Sequence, residues 1–154
     1  MEDKEGYIYE AVFLDQNEVE NAFKKVTGSN YPKCQNIPDH YHVTTEFKPF
    51  IMHRELYGTK AQIHIIGYAY GEAEDDEGII SSNEGFRVEI TSDDVEFQKL
   101  LSCYKKIWHI TGSYSVAAKH TGLIDYSNML PVDISITGVF GMGDNEGNVI
   151  LSNT

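Results

Sequence analysis

The chain has 154 residues, of which 41% are hydrophobic and 12% aromatic, so it is long enough for one domain with a real core and too apolar to be mostly disordered. Its formal net charge is −12, and its only arginines are Arg54 and Arg87. Because long nucleic acids are bound mainly through neutralised phosphates, this charge and the lack of a basic cluster exclude a duplex-binding protein but not one for a small phosphorylated ligand.

In chain order, the first half predicts a strand, a helix and two further strands. Alternating or continuous apolar residues predict the strands at 7–14, 40–47 and 61–71. The helix is predicted over 16–26, where apolar residues recur at helical spacing and Asp15 can serve as the N-cap. The acidic stretch 72–78 predicts a solvated turn.

The second half predicts the same order of elements. Strands are predicted at 86–92, 108–116, 132–141 and 148–151. Asp93 or Asp94 can cap a helix over 94–107. The apolar face of that helix is predicted to comprise Val95, Phe97, Leu100, Leu101 and Tyr104.

The two halves are also alike in their residues. Three pairs of segments are similar and occur in the same order: 5–11 with 84–90, 63–71 with 134–142, and 77–83 with 146–153. Such self-similarity favours a duplicated strand–helix–strand–strand unit over chance likeness between β-rich segments. We therefore expect one domain over 1–154, built of pseudo-repeats at about 5–83 and 84–153.

Each half carries a His-x-Thr sequence on the strand that follows its helix. Strand alternation places His42 with Thr44 on one face, and His109 with Thr111 on another, with Ser113 continuing that second face. One such motif is a weak signal, and two strand histidines that only make structural hydrogen bonds are the alternative. Two motifs in equivalent positions are a stronger signal, because a pseudo-twofold axis would make them face each other across a cleft.

The motifs HVT (42–44) and HIT (109–111) in a duplicated chain resemble those of the 2H phosphoesterase superfamily. The resemblance covers most of the chain and implies an α+β fold of two lobes, with antiparallel sheets, helices on their outer faces and the site between them. The segment 126–130 is similar to a Ser-Asn-x-Leu stretch of some short members. In many relatives the residue after the motif threonine is apolar, whereas here it is Thr45 or Gly112, which leaves the subfamily open.

The resemblance implies a phosphodiesterase with catalytic residues His42, Thr44, His109 and Thr111. One imidazole would activate water or a ribose 2′-hydroxyl and the other would protonate the departing ribose oxygen, and the sequence leaves open which does which. The threonine hydroxyls would stabilise charge on the non-bridging phosphoryl oxygens. Such a pair needs no metal, and no histidine has a partner at a zinc-like spacing within a helix, so we expect neither metal nor cofactor.

The superfamily leaves two substrate classes open: small cyclic oligonucleotide signals, cleaved by phage anti-CBASS proteins, and RNA 2′,3′-cyclic phosphates. The short chain and its net charge of −12 favour a compact cyclic di- or trinucleotide over an extended RNA. Tyr9 is a candidate for stacking on a base, with ordinary core packing as its alternative, and Ser113 is a candidate for binding the substrate. A module that sequesters a cyclic nucleotide without cleaving it is a third interpretation.

Features of location and redox state complete the expectations. The sequence has no apolar run long enough to cross a membrane, and its charged start, MEDKEGYIYE, lacks the apolar core of a secretion signal. Cys34 and Cys103 have neither metal-binding nor redox spacing. We expect a cytoplasmic protein with two reduced thiols, located in the host cytoplasm if it is viral, with neither long nucleic acid nor membrane as a partner.

Overall fold

The computed structural model describes residues 6–74, 76–115 and 126–152. These residues form an α+β fold in which two helices accompany one antiparallel sheet. The helices are α1, Gln16–Thr27, and α2, Val95–Cys103. The seven strands are β1 Ile8–Leu14, β2 His42–Phe47, β3 Lys60–Glu74, β4 Ile80–Thr91, β5 Trp108–Tyr114, β6 Leu130–Asp144 and β7 Val149–Ile150. Neither helix combines the length and apolar character that a membrane span requires.

Both helices start at a capping aspartate, as the sequence predicts. The Asp15 carboxylate accepts from the backbone N–H of Glu18, and the Asp94 carboxylate accepts from that of Phe97. The predicted end of α2 at residue 107 is wrong, because the helix stops at Cys103. Tyr104 turns into extended backbone, with φ −81° and ψ 134°.

Several strand boundaries also differ from the predicted ones, and β3 continues to Glu74, into the predicted acidic turn 72–78. β4 begins at Ile80 rather than at residue 86, because β3 and β4 form a long hairpin that extends beyond the predicted strands. Residue 75 of the predicted acidic turn and residue 116 of the predicted strand 108–116 lie outside the described residues.

The strand order of the sheet is β2-β1-β6-β3-β4-β5, and β7 pairs with β6. If β1, β2 and β3 are exchanged with β4, β5 and β6, the same strand order results, read from the opposite end of the sheet. β2 and β5 stand at opposite ends of the order but contact each other, so the sheet curves back on itself. An isolated bridge between Asn36 and Tyr114 also joins the segment before β2 to the end of β5.

The two outer strand pairs each contain a β-bulge at the corresponding place. Thr45 is the extra residue of β2 opposite β1, and Gly112 is the extra residue of β5 opposite β4. A bulge reverses the alternation of the two strand faces beyond it. Thr111 and Ser113 therefore point to opposite sides of the sheet, although two positions separate them.

Aromatic side chains fill the core between the helices and the sheet. Phe23 of α1 stacks on Phe86 of β4 with ring centroids 3.8 Å apart, and Tyr31 covers its other side at 4.7 Å. Phe97 of α2 packs against Phe140 of β6 at 4.6 Å. Each fully buried phenylalanine contributes roughly 1.5–3 kcal/mol, so this packing holds α1 to β4 and α2 to β6.

Candidate functional site

A cavity of about 420 Å³ opens on the strand face that carries Tyr9 and Thr44. Its walls come from β1 and β2, from β4 and β5, from the loop before β2 and from the turn after β6. The residues that line it are Tyr7, Tyr9, Pro38, Asp39, His40, His42, Thr44, Phe47, Asn83, Thr111, Tyr114, Asp144, Asn145 and Gly147.

His42 is held in one orientation at this cavity. Its Nδ1 lies 2.8 Å from the backbone carbonyl oxygen of His40. Because a carbonyl only accepts, Nδ1 carries the hydrogen and the lone pair of the neutral ring is on Nε2. The ring centroid lies 5.0 Å from that of Tyr9 and 5.7 Å from that of Phe13. Burial among these rings lowers the pKa of His42, so its imidazole is neutral at pH 7.

His109 lies in β5, opposite Arg87 of β4, next to the cavity rather than in its wall. Burial, the nearby Lys106 ammonium and His42 lower the pKa of His109 to about 4. The electrostatic effect of His42 indicates that the two imidazoles are close enough for their charges to interact. The ring of Tyr126 covers His109 with a centroid separation of 6.2 Å.

The two motif threonines line the same cavity from different strands. Thr44 comes from β2 and Thr111 from β5, the two end strands that contact each other where the sheet curves back. The structure therefore brings His42, Thr44 and Thr111 together from both halves of the chain, with His109 beside them.

The aromatic wall of the cavity extends beyond Tyr9. Tyr9 lines the cavity, and Tyr7 and Phe47 form an edge-to-face pair at 5.0 Å beside it. The Phe47 side chain is 57% exposed. Tyr114 also reaches the wall, although strand alternation predicts that it points away from the face of His109.

Ser113 is placed differently from the prediction that it binds substrate. It is fully buried, its hydroxyl donates to the Glu84 carboxylate, and its oxygen accepts from the backbone N–H of Cys34 at 3.0 Å. The bulge at Gly112 is the physical reason, because it turns Ser113 to the core and brings Tyr114 to the cavity. Ser113 therefore does not reach a ligand in this cavity.

Sequence reasoning missed the rim formed by the turn after β6. Asn145 exchanges two hydrogen bonds with the backbone of Tyr7, through its side-chain oxygen at 3.1 Å and its N–H at 3.2 Å. His40 Nε2 lies 2.9 Å from the carbonyl oxygen of Gly147. The residues predict a hairpin turn, but only the fold places that turn against β1 and the loop before β2.

The cavity wall carries negative charge. Asp39 and Asp144 line it, and the described lining includes neither lysine nor arginine. Hydrogen bonds from Asn148 to the exposed Asp144 lower the pKa of that carboxyl, so it is ionised at neutral pH. Such walls disfavour an extended polyanion and leave hydroxyls, imidazoles and backbone N–H groups to hold a single phosphate.

A second group of side chains is suited to holding a metal ion. Glu10, Glu46 and His53 bring their ligand atoms within 4.8 Å of one another, and none of the three lines the cavity.

The cavity itself combines two hydroxyls and an oriented imidazole with aromatic surface. No family model, no curated protein and no solved structure matches the chain.

Proposed function

We propose that this protein is a metal-independent phosphodiesterase that cleaves 3′–5′ linkages in small cyclic oligonucleotide signals. The observation that carries the proposal is the convergence of the two motifs. His42, Thr44 and Thr111 share one cavity, and His42 lies near enough to His109 to contribute to the lowered pKa of that ring. Pure binding needs hydrogen-bond donors, but it does not need two neighbouring imidazoles that can exchange protons with a substrate.

We also infer that the fold is a duplicated, two-lobed one of the 2H phosphoesterase type. The strand order supports this inference, because exchanging the two sets of three strands leaves it unchanged. The bulges support it as well, since Thr45 and Gly112 each follow a motif threonine directly. The resemblance of the motifs to that superfamily agrees with both features.

The proposed reaction uses one imidazole as base and the other as acid. One ring takes the proton of a ribose 2′-hydroxyl, the 2′-oxygen attacks phosphorus, and the bond from phosphorus to the 5′-oxygen breaks. The other ring gives its proton to that oxygen, which leaves a 2′,3′-cyclic phosphate as first product. In His42 the proton moves at Nε2, because Nδ1 is held by the His40 carbonyl. Thr44 and Thr111 donate to the non-bridging oxygens.

The lowered pKa values are compatible with both roles once substrate is bound. In the free protein both rings are neutral at pH 7, which suits a base. A phosphate anion next to an imidazole favours the charged form of the ring and raises its pKa. The ring nearer to the leaving oxygen then carries the proton that the acid step requires.

The cavity supports a compact substrate with nucleobases. Its volume of about 420 Å³ lies in the range of small-molecule sites, roughly 300–1,000 Å³. The rings of Tyr7, Tyr9 and Phe47 offer surfaces for stacking, each contact contributing about 1–3 kcal/mol. Asp39 and Asp144 would repel the further phosphates of a long strand.

The experiment is a substrate panel in excess EDTA. Cyclic dinucleotides, cyclic trinucleotides and RNA that ends in a 2′,3′-cyclic phosphate are offered at equal concentration, and products are separated by chromatography. We expect opening of at least one cyclic oligonucleotide. Cleavage of the terminal RNA phosphate alone would favour an RNA-processing enzyme. Stoichiometric binding without turnover would favour a sequestering module.

A further inference from the structure

Glu10 of β1 is a buried carboxylate that does not line the cavity. It is fully buried, and its Oε2 accepts from the backbone N–H of His53 at 2.7 Å and from the Tyr57 hydroxyl at 2.8 Å. Its Oε1 lies 2.7 Å from Nδ1 of the His53 ring. A nitrogen and an oxygen that could both ligate a cation therefore stand side by side.

A second carboxylate faces this pair. Glu46 of β2 is the direct cross-strand partner of Glu10, and its Oε1 accepts from the Tyr104 hydroxyl at 3.2 Å. The exposed Lys106 interacts with Glu46 electrostatically. Two carboxylates opposite each other on neighbouring strands destabilise the pair unless a cation or a proton lies between them.

The second half of the chain shows how the same place is filled without a cation. There the buried Glu84 stands opposite Ser113, and the Ser113 hydroxyl donates directly to the Glu84 carboxylate. Tyr68 donates to it as well, at 2.7 Å, as Tyr57 does to Glu10. In the first half Glu46 stands where Ser113 stands in the second, and an ionised carboxylate has no hydrogen to donate.

An unpartnered hydroxyl points to the same place. Thr45 is 1% exposed and its Oγ1 makes no hydrogen bond of regular geometry. The Thr45 side chain nevertheless lies close enough to Tyr104 to lower the pKa of that hydroxyl, which burial and the charges of Glu46 and Glu10 raise. Its oxygen therefore lies near the Tyr104 hydroxyl, which donates to Glu46, so the polar groups beside the two glutamates are not fully paired.

We propose that Glu10, Glu46 and His53 bind one divalent transition-metal ion of the Zn²⁺ or Mn²⁺ type. Two carboxylate oxygens and one imidazole nitrogen form a donor set that these ions accept, whereas Mg²⁺ prefers oxygen ligands and retained waters. The ligand atoms lie within 4.8 Å of one another, as the ligands of one ion must. The ion joins β1, β2 and the segment that carries His53, away from the cavity, so it stabilises the fold and takes no part in the reaction.

The test uses the full chain, freed of metal with EDTA and gel-filtered. Zn²⁺, Mn²⁺ and Mg²⁺ are titrated by calorimetry, and the melting temperature is followed. We expect one equivalent of Zn²⁺ or Mn²⁺ to bind and Mg²⁺ not to bind. At a hundredfold excess over Kd, the melting temperature should rise by roughly 5–10 °C.

Two variants and a control assign the binding to this cluster. Glu46→Ser copies the second half of the chain, and Glu46→Gln keeps the size of the side chain should the first variant fold poorly. Both should abolish the binding and the thermal shift. His64→Ala is the control, because His64 also lies between two carboxylates, those of Asp133 and Glu89, but on the surface. It should bind metal like the unaltered protein.

Absence of binding, or unchanged binding in both Glu46 variants, would overturn the proposal. Turnover in EDTA is a separate readout. If EDTA lowers the melting temperature without stopping turnover at 25 °C, both the metal site and the metal-independent reaction stand. If the protein binds metal but cleaves nothing, only the proposed function fails.

Discussion

At the scale of single residues, burial is what adapts the two motif histidines to their proposed role. Both imidazoles are partly buried, and the positive charge of the nearby Lys106 also acts on His109. Desolvation disfavours the charged ring, so both pKa values lie below the usual 6.5. Histidines at ordinary exposure would be partly protonated at neutral pH and less able to accept a proton.

These pKa directions predict an activity optimum on the acid side. The dependence of kcat/KM on pH reports the free protein, where the base must be neutral and the acid protonated. Because both pKa values are lowered, both limbs of the profile shift to lower pH. We expect the maximum of kcat/KM, measured from pH 4 to pH 9 on a cleaved cyclic oligonucleotide, below pH 6.5. A maximum above pH 7.5 would contradict the assignment of the two histidines.

Strand alternation describes which residues share a face only up to each bulge. His42, Thr44 and Thr111 share the cavity because each lies before its bulge, where the two-residue period is regular. Beyond the bulge at Gly112 the alternation is reversed. Ser113, predicted to face the cavity, therefore points into the core, and Tyr114, predicted to point away, lines the cavity. A glycine in a strand is a known sign of a bulge, but Gly112 alone does not indicate on which residue the alternation changes.

At the scale of elements, the close approach of α1 to β5 depends on Gly112. A Cβ at this position would lie 2.4 Å from the Phe23 ring, which is itself packed between Phe86 and Tyr31. The ring cannot yield easily, since it has neighbours on both faces.

Gly112→Ala is therefore expected to lower the free energy of unfolding by about 1–3 kcal/mol through overpacking. Urea unfolding followed by circular dichroism measures it. Gly6→Ala is the matched control, because its Cβ would meet its nearest neighbour at an ordinary 3.7 Å. Equal stability of the two variants would show that α1 does not press on β5 in this way.

The sequence predicts element boundaries well where a local helix cap or a regular spacing of apolar residues defines them. It predicts them poorly where contacts with distant parts of the chain define them. Asp15 and Asp94 mark the helix starts because capping is local. The end of α2 was missed because Tyr104 leaves the helix to donate to Glu46, a contact 58 residues away. The two bulges also show which residues of the halves correspond. Glu10 lies at the bulge of the first half as Glu84 lies at that of the second. This correspondence differs from the sequence alignment of 5–11 with 84–90, in which Glu84 is matched by Glu5.

At the scale of the whole molecule, the arrangement of the sheet produces the site. β3 pairs with β6 at the centre, and the outer strands β2 and β5 meet where the sheet closes on itself. The likeness of the two halves predicts which elements correspond, but it does not predict that β3 and β6 pair or that the sheet curves. Those features depend on contacts between distant parts of the chain, which local patterns do not contain.

The half-buried His109 also makes the stability of the molecule depend on pH. Its pKa is about 4 in the folded protein and near 6.5 when unfolded, so its contribution is complete above pH 6.5 and is lost as pH falls toward 4. At pH 5 the loss should be about 2 kcal/mol. His109→Gln should lose correspondingly less stability between pH 7 and pH 5 in urea unfolding. An identical loss in the variant and the unaltered protein would mean that His109 is not buried as described.

Paired-histidine catalysis is tested most directly by kcat/KM, in excess EDTA, for His42→Ala and His109→Ala. His64→Ala is the control, because this histidine is exposed and lies away from the cavity. Each motif variant should lose about 10²–10⁴-fold in kcat/KM while keeping its fold, since acid–base assistance is typically of that size. The control should retain full activity. Unchanged turnover in either motif variant would contradict the claim.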